Sequence, residues 1–270
     1  MSSTPTTTTL TWRAVAVGVV AGLTSGLFGV GGGIIIVPAL ALVAGFSQKL
    51  ATGTSLTAIV PISAAGVVGY ALSGEVDWVA AGLIAPGAVL GALVGARALV
   101  RIDASLLQIL FAVAMAVTAV RLLVDEADGA GRLGLSPLVA LGLVLLGLAA
   151  GVLAALLGVG GGIVVVPALT LLFASPLVLA KGTSLAIVLP TAIVSTVRNR
   201  KAGLTSLSAG QVVGGAGVVS AFLASRLSLG LDARLSSVLF ALLLAVMAVR
   251  MARAGVAARA ARTSGVAPEP

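Results

Sequence analysis

The sequence predicts an all-α, polytopic transmembrane helical bundle made of two tandem repeats with broken or re-entrant helices. Three observations carry this. Hydrophobic residues make up 59% of the 270-residue chain and charged residues 9%, with a mean hydropathy of +1.23, whereas soluble domains carry roughly 25% charged residues. Uncharged stretches of about 20 residues, the length that crosses a bilayer as a helix, recur along the chain. A twelve-residue, glycine-led segment near the start returns almost unchanged 129 residues later. A membrane barrel would instead alternate apolar and polar residues over roughly ten-residue strands, and no such alternation is present.

The repeated segment is Gly29-Val30-Gly31-Gly32-Gly33-Ile34-Ile35-Ile36-Val37-Pro38-Ala39-Leu40. Its copy is Gly158-Val159-Gly160-Gly161-Gly162-Ile163-Val164-Val165-Val166-Pro167-Ala168-Leu169. Ten of the twelve pairs are identical and two exchange Ile for Val. The offset continues without a gap. Ala51-Thr52-Gly53-Thr54-Ser55-Leu56 aligns with Ala180-Lys181-Gly182-Thr183-Ser184-Leu185, and Pro61 with Pro190. Farther on, Arg97 pairs with Arg226, Asp103 with Asp232, Phe111 with Phe240 and Arg121 with Arg250. The chain reads as a duplication of one unit.

Residues 1–11 are rich in Ser and Thr. They have neither a charged n-region nor a small-residue cleavage site, and are expected to form a disordered tail rather than a cleaved signal. The first transmembrane repeat covers 12–124, with apolar segments at 12–28, 34–45, 50–73, 78–99 and 104–124. A polar linker, 125–135, follows. The second repeat covers 136–253, with segments at 136–157, 163–174, 182–198, 207–227 and 233–252, and a cytoplasmic tail runs over 254–270. The second segment of each unit reaches only about 18 Å as a helix, short of a hydrocarbon core near 30 Å. With the preceding helix and the glycine break it forms either a re-entrant hairpin or one long broken helix.

Charge placement bears on that choice. If each broken pair enters and leaves on one side, the units are inverted. Eleven of the sixteen basic residues then lie inside, among them Arg13, Lys49, Arg97, Arg198, Arg200, Lys201 and Arg250. Six of the eight acids, Glu75, Asp77, Asp125, Glu126, Asp128 and Asp232, fall outside. Parallel units place ten basic residues inside. The counts barely differ and acids weigh little in orientation. Inverted units are preferred because broken helices at matching places in two halves are a transporter signature. Both termini are then expected in the cytoplasm of a cell-membrane protein.

The glycine runs are the first candidate site. A helix starting at Ile34 or Ile163 offers unpaired amides and about half a positive charge at its N-terminus. In a medium of low dielectric that end attracts an anion without a charged side chain. Gly31, Gly32 and Gly33, with Gly160, Gly161 and Gly162, allow positive φ and close approach of a ligand. Close helix packing alone is the competing explanation. The second candidate comprises Thr54, Ser55, Thr183 and Ser184, whose hydroxyls can cap a helix or donate to an anion's oxygens. The basic run Arg198-Asn199-Arg200-Lys201 is expected to be a topology-setting cytoplasmic loop. Arg97, Arg226, Asp103 and Asp232 are expected to frame matching helix ends.

Other chemistries are disfavoured. The chain has no cysteine and no histidine, which removes thiol chemistry, the usual metal ligand and the usual nucleophile–base pair. No enzyme activity, cofactor or metal site is expected. Aromatic residues are 3% of the chain, too few for nucleic-acid readers beside a basic face. The glycine run is no nucleotide loop, since Ile34 stands where the dinucleotide fingerprint needs glycine and no Lys-Ser/Thr follows. Glu75 and Asp77 fall in a loop and Lys49 and Lys181 at segment edges, leaving no titrating group well inside a span.

With these residues the chain resembles the TauE/SafE family of membrane permeases, named for sulfite and sulfoacetate export. The resemblance rests on Gly29 through Pro38, the copy Gly158 through Pro167, and the Gly-Thr-Ser-Leu blocks at 53–56 and 182–185, and spans about Thr11 to Arg253. It implies a duplicated bundle of about eight transmembrane helices moving small sulfur-containing or organic anions. It also implies that both glycine runs and both Thr-Ser pairs form the substrate site. Thr52 opposite Lys181 makes the two copies unequal. The expected partners are a small anion and the lipid bilayer, with homo-oligomerisation left open. The expected function is a carrier that exports sulfite, sulfoacetate, thiosulfate or a related oxyanion by alternating access. The alternative is a passive anion channel using the same helix ends.

Overall fold

A computed structural model describes residues 7–98, 104–124, 134, 136–158 and 160–263. The described chain is ten helices and their short connections. They are α1 (Thr7–Phe28), α2 (Gly33–Ala44), α3 (Gln48–Ala71), α4 (Trp78–Ala98), α5 (Ala104–Val124), α6 (Pro137–Leu157), α7 (Gly162–Phe173), α8 (Leu177–Lys201), α9 (Leu207–Gly230) and α10 (Ala233–Thr263). Five described stretches, in α3, α6, α8, α9 and α10, are long and apolar enough to cross a membrane. With no water in lipid to satisfy a free amide or carbonyl, helices are the economical answer for so apolar a chain. The protein is a multi-pass membrane protein.

Each predicted apolar segment appears as one helix, and several ends differ. α1 begins at Thr7, inside the tail expected to be disordered, because Thr7 to Leu10 contain no Gly or Pro to stop it. α8 continues to Lys201, so Arg198, Arg200 and Lys201 lie on its last turn and not in a loop. There, cations favour the helix C-terminus. α8 also starts earlier, at Leu177. α10 runs to Thr263 through an Ala- and Arg-rich stretch of good helix formers. The polar linker expected at 125–135 falls almost wholly outside the described residues, as does Asp103.

Small residues set the packing. Gly18, Gly22 and Gly26 form a stripe along α1 that lies against Val213, Gly217 and Ala221 of α9. With the halves exchanged, Gly147 and Gly151 of α6 lie against Ile84 and Ala88 of α4. Lipid supplies no hydrophobic drive between helices, so close backbone approach at such stripes carries the association. Contacts rise together along α1 and α9, and also along α3 and α9, where Gly53 meets Leu204 and Gly69 meets Ser225. They rise together along α4 and α6, and along α4 and α8, where Asp77 meets Thr183 and Ala92 meets Arg198. α3 and α8 cross in opposite senses, Gly66 lying against Leu185 and Gly182 against Tyr70. Hence α1, α3 and α9 run one way while α4, α6 and α8 run the other.

These directions sort the charges. Lys49 at the start of α3 shares an end of the bundle with Arg198, Arg200 and Lys201, because Gly53 touches Leu204 just beyond α8. Glu75, Asp77 and Asp232 share the opposite end, with Gly182 against Glu75 and Gly69 against Ser225. Asp77 and Asp232 cap α4 and α10 by accepting from the amides of Ala80 and Leu235.

α2 and α7 are 12 residues each. Gly32 lies against Ala21, in the middle of α1, so α2 doubles back along it as a re-entrant hairpin. α2 ends on Gly45 (φ 65°), and the matching cap of α7 is Ala174, held at φ 48°. A side chain in the left-handed region costs about 1–2 kcal/mol. Ala174→Gly is therefore expected to raise the thermal midpoint of the purified protein, and an unchanged or lower midpoint would refute the strain.

Candidate functional site

The two breaks have the same backbone. Gly29, Gly31 and Gly32 have φ of 73°, 80° and 75°, and Gly158, Gly160 and Gly161 have 67°, 79° and 83°. Left-handed φ three times in four residues is open only to glycine at small cost, which explains the run. Both short helices therefore start on glycine caps, Gly32 and Gly161, that have no side chain to cap the amides beyond. Ile35 and Ile36 turn their N–H groups to the Gly32 carbonyl, and Val164 and Val165 theirs to Gly161. Among the described residues, the amides of Gly33, Ile34, Gly162 and Ile163 find no hydrogen-bond partner. Gly31, Gly32, Gly33, Gly160, Gly161, Gly162 and Ile163 are buried, and Ile34 is half-buried.

The breaks also meet. A Cβ on Gly162 would come within 2.8 Å of the Gly29 carbonyl oxygen and 2.9 Å of Val30 Cα. Ser184, on α8, donates its hydroxyl to the Gly29 carbonyl at 2.8 Å and lies 3.4 Å from that of Gly162. Ser55, on α3, donates to the Gly158 carbonyl at 3.0 Å. The two bonds are one bond with the halves exchanged. So are those of the threonines. Thr54 Oγ1 accepts from the Ser206 amide at 3.0 Å, and Thr183 Oγ1 from the Asp77 amide at 2.9 Å. All four hydroxyl residues are fully buried.

The site residues read from sequence thus gather where the halves join, but the hydroxyls are already engaged with backbone of the opposite half. The serines hold the breaks open and the threonines fix the starts of α4 and α9. A helix end with free amides in a dry interior attracts anions, and the serine bonds keep two such ends facing inward. The basic run contributes differently from the expectation: Arg198 donates to the Ala92 and Leu93 carbonyls of α4. Arg226 similarly reaches the Gly69 carbonyl and Ser73.

Sequence reading placed Lys181 at a segment edge. It is in fact 1% exposed, in the second turn of α8, with its Cα against Gly29. Its ammonium donates to Ser236 at 2.8 Å and Ser228 at 3.3 Å, and lies 5.8 Å from the Phe240 ring centre. The unmatched Thr52 in the other half was the only signal for it. Among the described residues no group of His, Cys, Asp or Glu could hold a metal ion.

The family described as "Sulfite exporter TauE/SafE" matches residues 2–122 and again 143–269. The chain belongs to this family. TauE/SafE proteins are membrane transporters and not enzymes. Relatives agree in kind. The chain is 42% identical over 82 residues to the "Probable membrane transporter protein YunE" of Bacillus subtilis, covering 30% of each chain. It is 36% identical over 85 residues to YdhB of the same organism, 32% of this chain and 35% of that one. A "Probable membrane transporter protein" of Xylella fastidiosa is 30% identical over 218 residues, 77% of this chain and 82% of that one. The aligned stretch thus spans only about a third of the two Bacillus proteins. No solved structure matches the chain.

Proposed function

We propose that this TauE/SafE transporter carries a small oxyanion (sulfite, sulfoacetate, thiosulfate or a relative) across the cell membrane, outward, by alternating access. One observation carries the reading: two glycine breaks with matching backbone meet in the buried interior, each opening a helix whose first amides have no partner among the described residues. Amides and helix dipoles aimed at one place bind negative charge without a fixed cation, most strongly where water is excluded. The opposed directions of α1 and α6, α3 and α8, and α4 and α9 support reading the halves as inverted copies. That architecture suits rocking about a central site. The end bearing Lys49, Arg198, Arg200 and Lys201 is then cytoplasmic, as are both termini. The anion is held by the backbone at Gly31 to Ile34 and Gly160 to Ile163. In this arrangement Ser55 and Ser184 spend their hydroxyl protons on the break carbonyls and so set the geometry of that backbone, while Thr54 and Thr183, which accept from the Ser206 and Asp77 amides, fix the starts of α9 and α4.

Uptake of radiolabelled sulfite, thiosulfate and sulfoacetate into proteoliposomes tests the proposal. Saturable uptake with counterflow is the expected result. Currents that follow the driving force without saturation would make the protein a channel, and no flux of any of the three would end the oxyanion assignment.

A further inference from the structure

The duplication is broken at one buried polar cluster. In the second half Lys181, Ser228 and Ser236 come together at the junction of α8, α9 and α10. The same offset of 129 residues puts Thr52, Leu99 and Leu107 at those places in the first half. The cluster is therefore an addition to the shared framework, which does not need it to fold twice.

Its chemistry is incomplete. A lysine ammonium has three N–H donors, and two are used, both on neutral hydroxyls. The Phe240 ring adds a weak attraction at 5.8 Å. Among the described residues no carboxylate forms an ion pair with Lys181. Glu75, whose backbone carbonyl lies against Gly182, is half-exposed and does not pair with it. A charge held in a membrane interior is costly unless an opposite charge or a full set of hydrogen bonds answers it, and such groups face functional paths. This one is also well aimed. Lys181 and Ser184 sit one turn apart on the same face of α8, the first with its Cα against Gly29 and the second bonded to the Gly29 carbonyl. Ser228 ties the cluster to α1 by donating to the Leu27 carbonyl at 3.2 Å, and Tyr70 donates to that of Gly26 at 2.7 Å. The end of the bundle on this side carries Glu75, Asp77 and Asp232. Among the described residues Lys181 is the buried cation that an anion passing them meets.

We propose that Lys181, with Ser228 and Ser236, is an anion subsite present in the second half alone, lying between the paired breaks and the acidic end of the bundle, and that its ammonium is the counter-charge that selects doubly over singly charged oxyanions. The inference rests on the oxyanion reading above and adds to it a preference for charge. Binding there draws on the third ammonium donor and on the Ser236 hydroxyl proton, while Ser228, whose own proton goes to the Leu27 carbonyl, holds the ammonium in place. Glycine-break amides recognise negative charge in general, whereas a fixed ammonium rewards the second charge.

Kinetics of [35S]thiosulfate, a dianion, and of methanesulfonate, a monoanion, in proteoliposomes of the full chain test this. Lys181→Met is expected to raise KM for thiosulfate about tenfold or more and for methanesulfonate about threefold or less. Lys181→Arg should keep the ratio near that of the wild type. Ser236→Ala, which leaves the charge in place and guards against a misfolded methionine variant, should raise the thiosulfate KM a few-fold while sparing methanesulfonate. Equal changes for both anions in Lys181→Met and Ser236→Ala, or none, would overturn the subsite while leaving the transporter assignment standing. No flux of either anion by the wild type would overturn both.

Discussion

Alanine at Gly32 is expected to unseat α2 and abolish transport, the largest effect we foresee from a single methyl group. The residue is held at φ 75°, and a Cβ there would come within 2.7 Å of the Ala21 carbonyl oxygen. The left-handed backbone alone costs about 1–2 kcal/mol. Crowding a fixed backbone atom adds about 1–3 kcal/mol. Together these amount to about 2–5 kcal/mol against a typical total stability of 5–15 kcal/mol. Thermal unfolding in detergent should show a clear fall in midpoint, alongside loss of anion flux. Gly45→Ala is the control: φ is 65° but nothing lies within 4 Å, so it should lose stability by the backbone term only and keep its flux. Gly162→Ala separates the two causes. Its φ is not left-handed, yet its Cβ would press on Gly29, Val30 and Ser184 at 2.8–3.0 Å. It should therefore impair flux more than stability. Wild-type flux in both Gly32→Ala and Gly162→Ala would remove the breaks from the transport path. The sequence alone would offer valine at Gly32 as a clean block of the site. The backbone angle makes any side chain there a folding lesion as well.

The second large effect is expected from Ser184→Ala and Ser55→Ala. Each serine supplies the hydrogen bond to a break carbonyl, Gly29 or Gly158, and both serines are fully buried. A buried carbonyl stripped of its donor costs about 1–3 kcal/mol. The loss falls on the position of the break, so flux should drop severalfold with a modest fall in thermal midpoint. Ser→Thr at either place keeps a hydroxyl and should recover part of the flux where the extra methyl is accommodated. If the alanine variants transport like the wild type, the serines do not shape the site, and the hydroxyls are ordinary polar filling.

Much of the architecture was legible because lipid imposes so few solutions. An apolar stretch must become a helix, and three glycines in a row at 31–33 and 160–162 must interrupt it. Those two rules recover the ten helices of the described residues. They fail at helix ends, where the code is looser. Arg198 to Lys201 looked like a loop because charge marks the membrane boundary, but a helix keeps its hydrogen bonds past that boundary until something stops it. At the site, the residue types were legible and their roles were not. Thr54 and Ser206, or Ser184 and Gly29, lie 152 and 155 positions apart, and no local pattern tells a serine whether it meets a solute or a carbonyl. Lys181 was misjudged for the same reason. Its place just before the apolar segment at 182–198 suggests a boundary, whereas its burial depends on α9 and α10 closing over it.

The serine bonds also bear on how the protein is made. Gly29 emerges from the ribosome long before Ser184, its hydrogen-bond donor, exists. The first hairpin must wait beside the translocon with its bend unsupported until the eighth helix is inserted. The second bend needs no wait, because Ser55 precedes Gly158 by 103 positions. The first bend therefore gains its hydrogen bond only once the second half has been made, whereas the second bend finds its donor already in place.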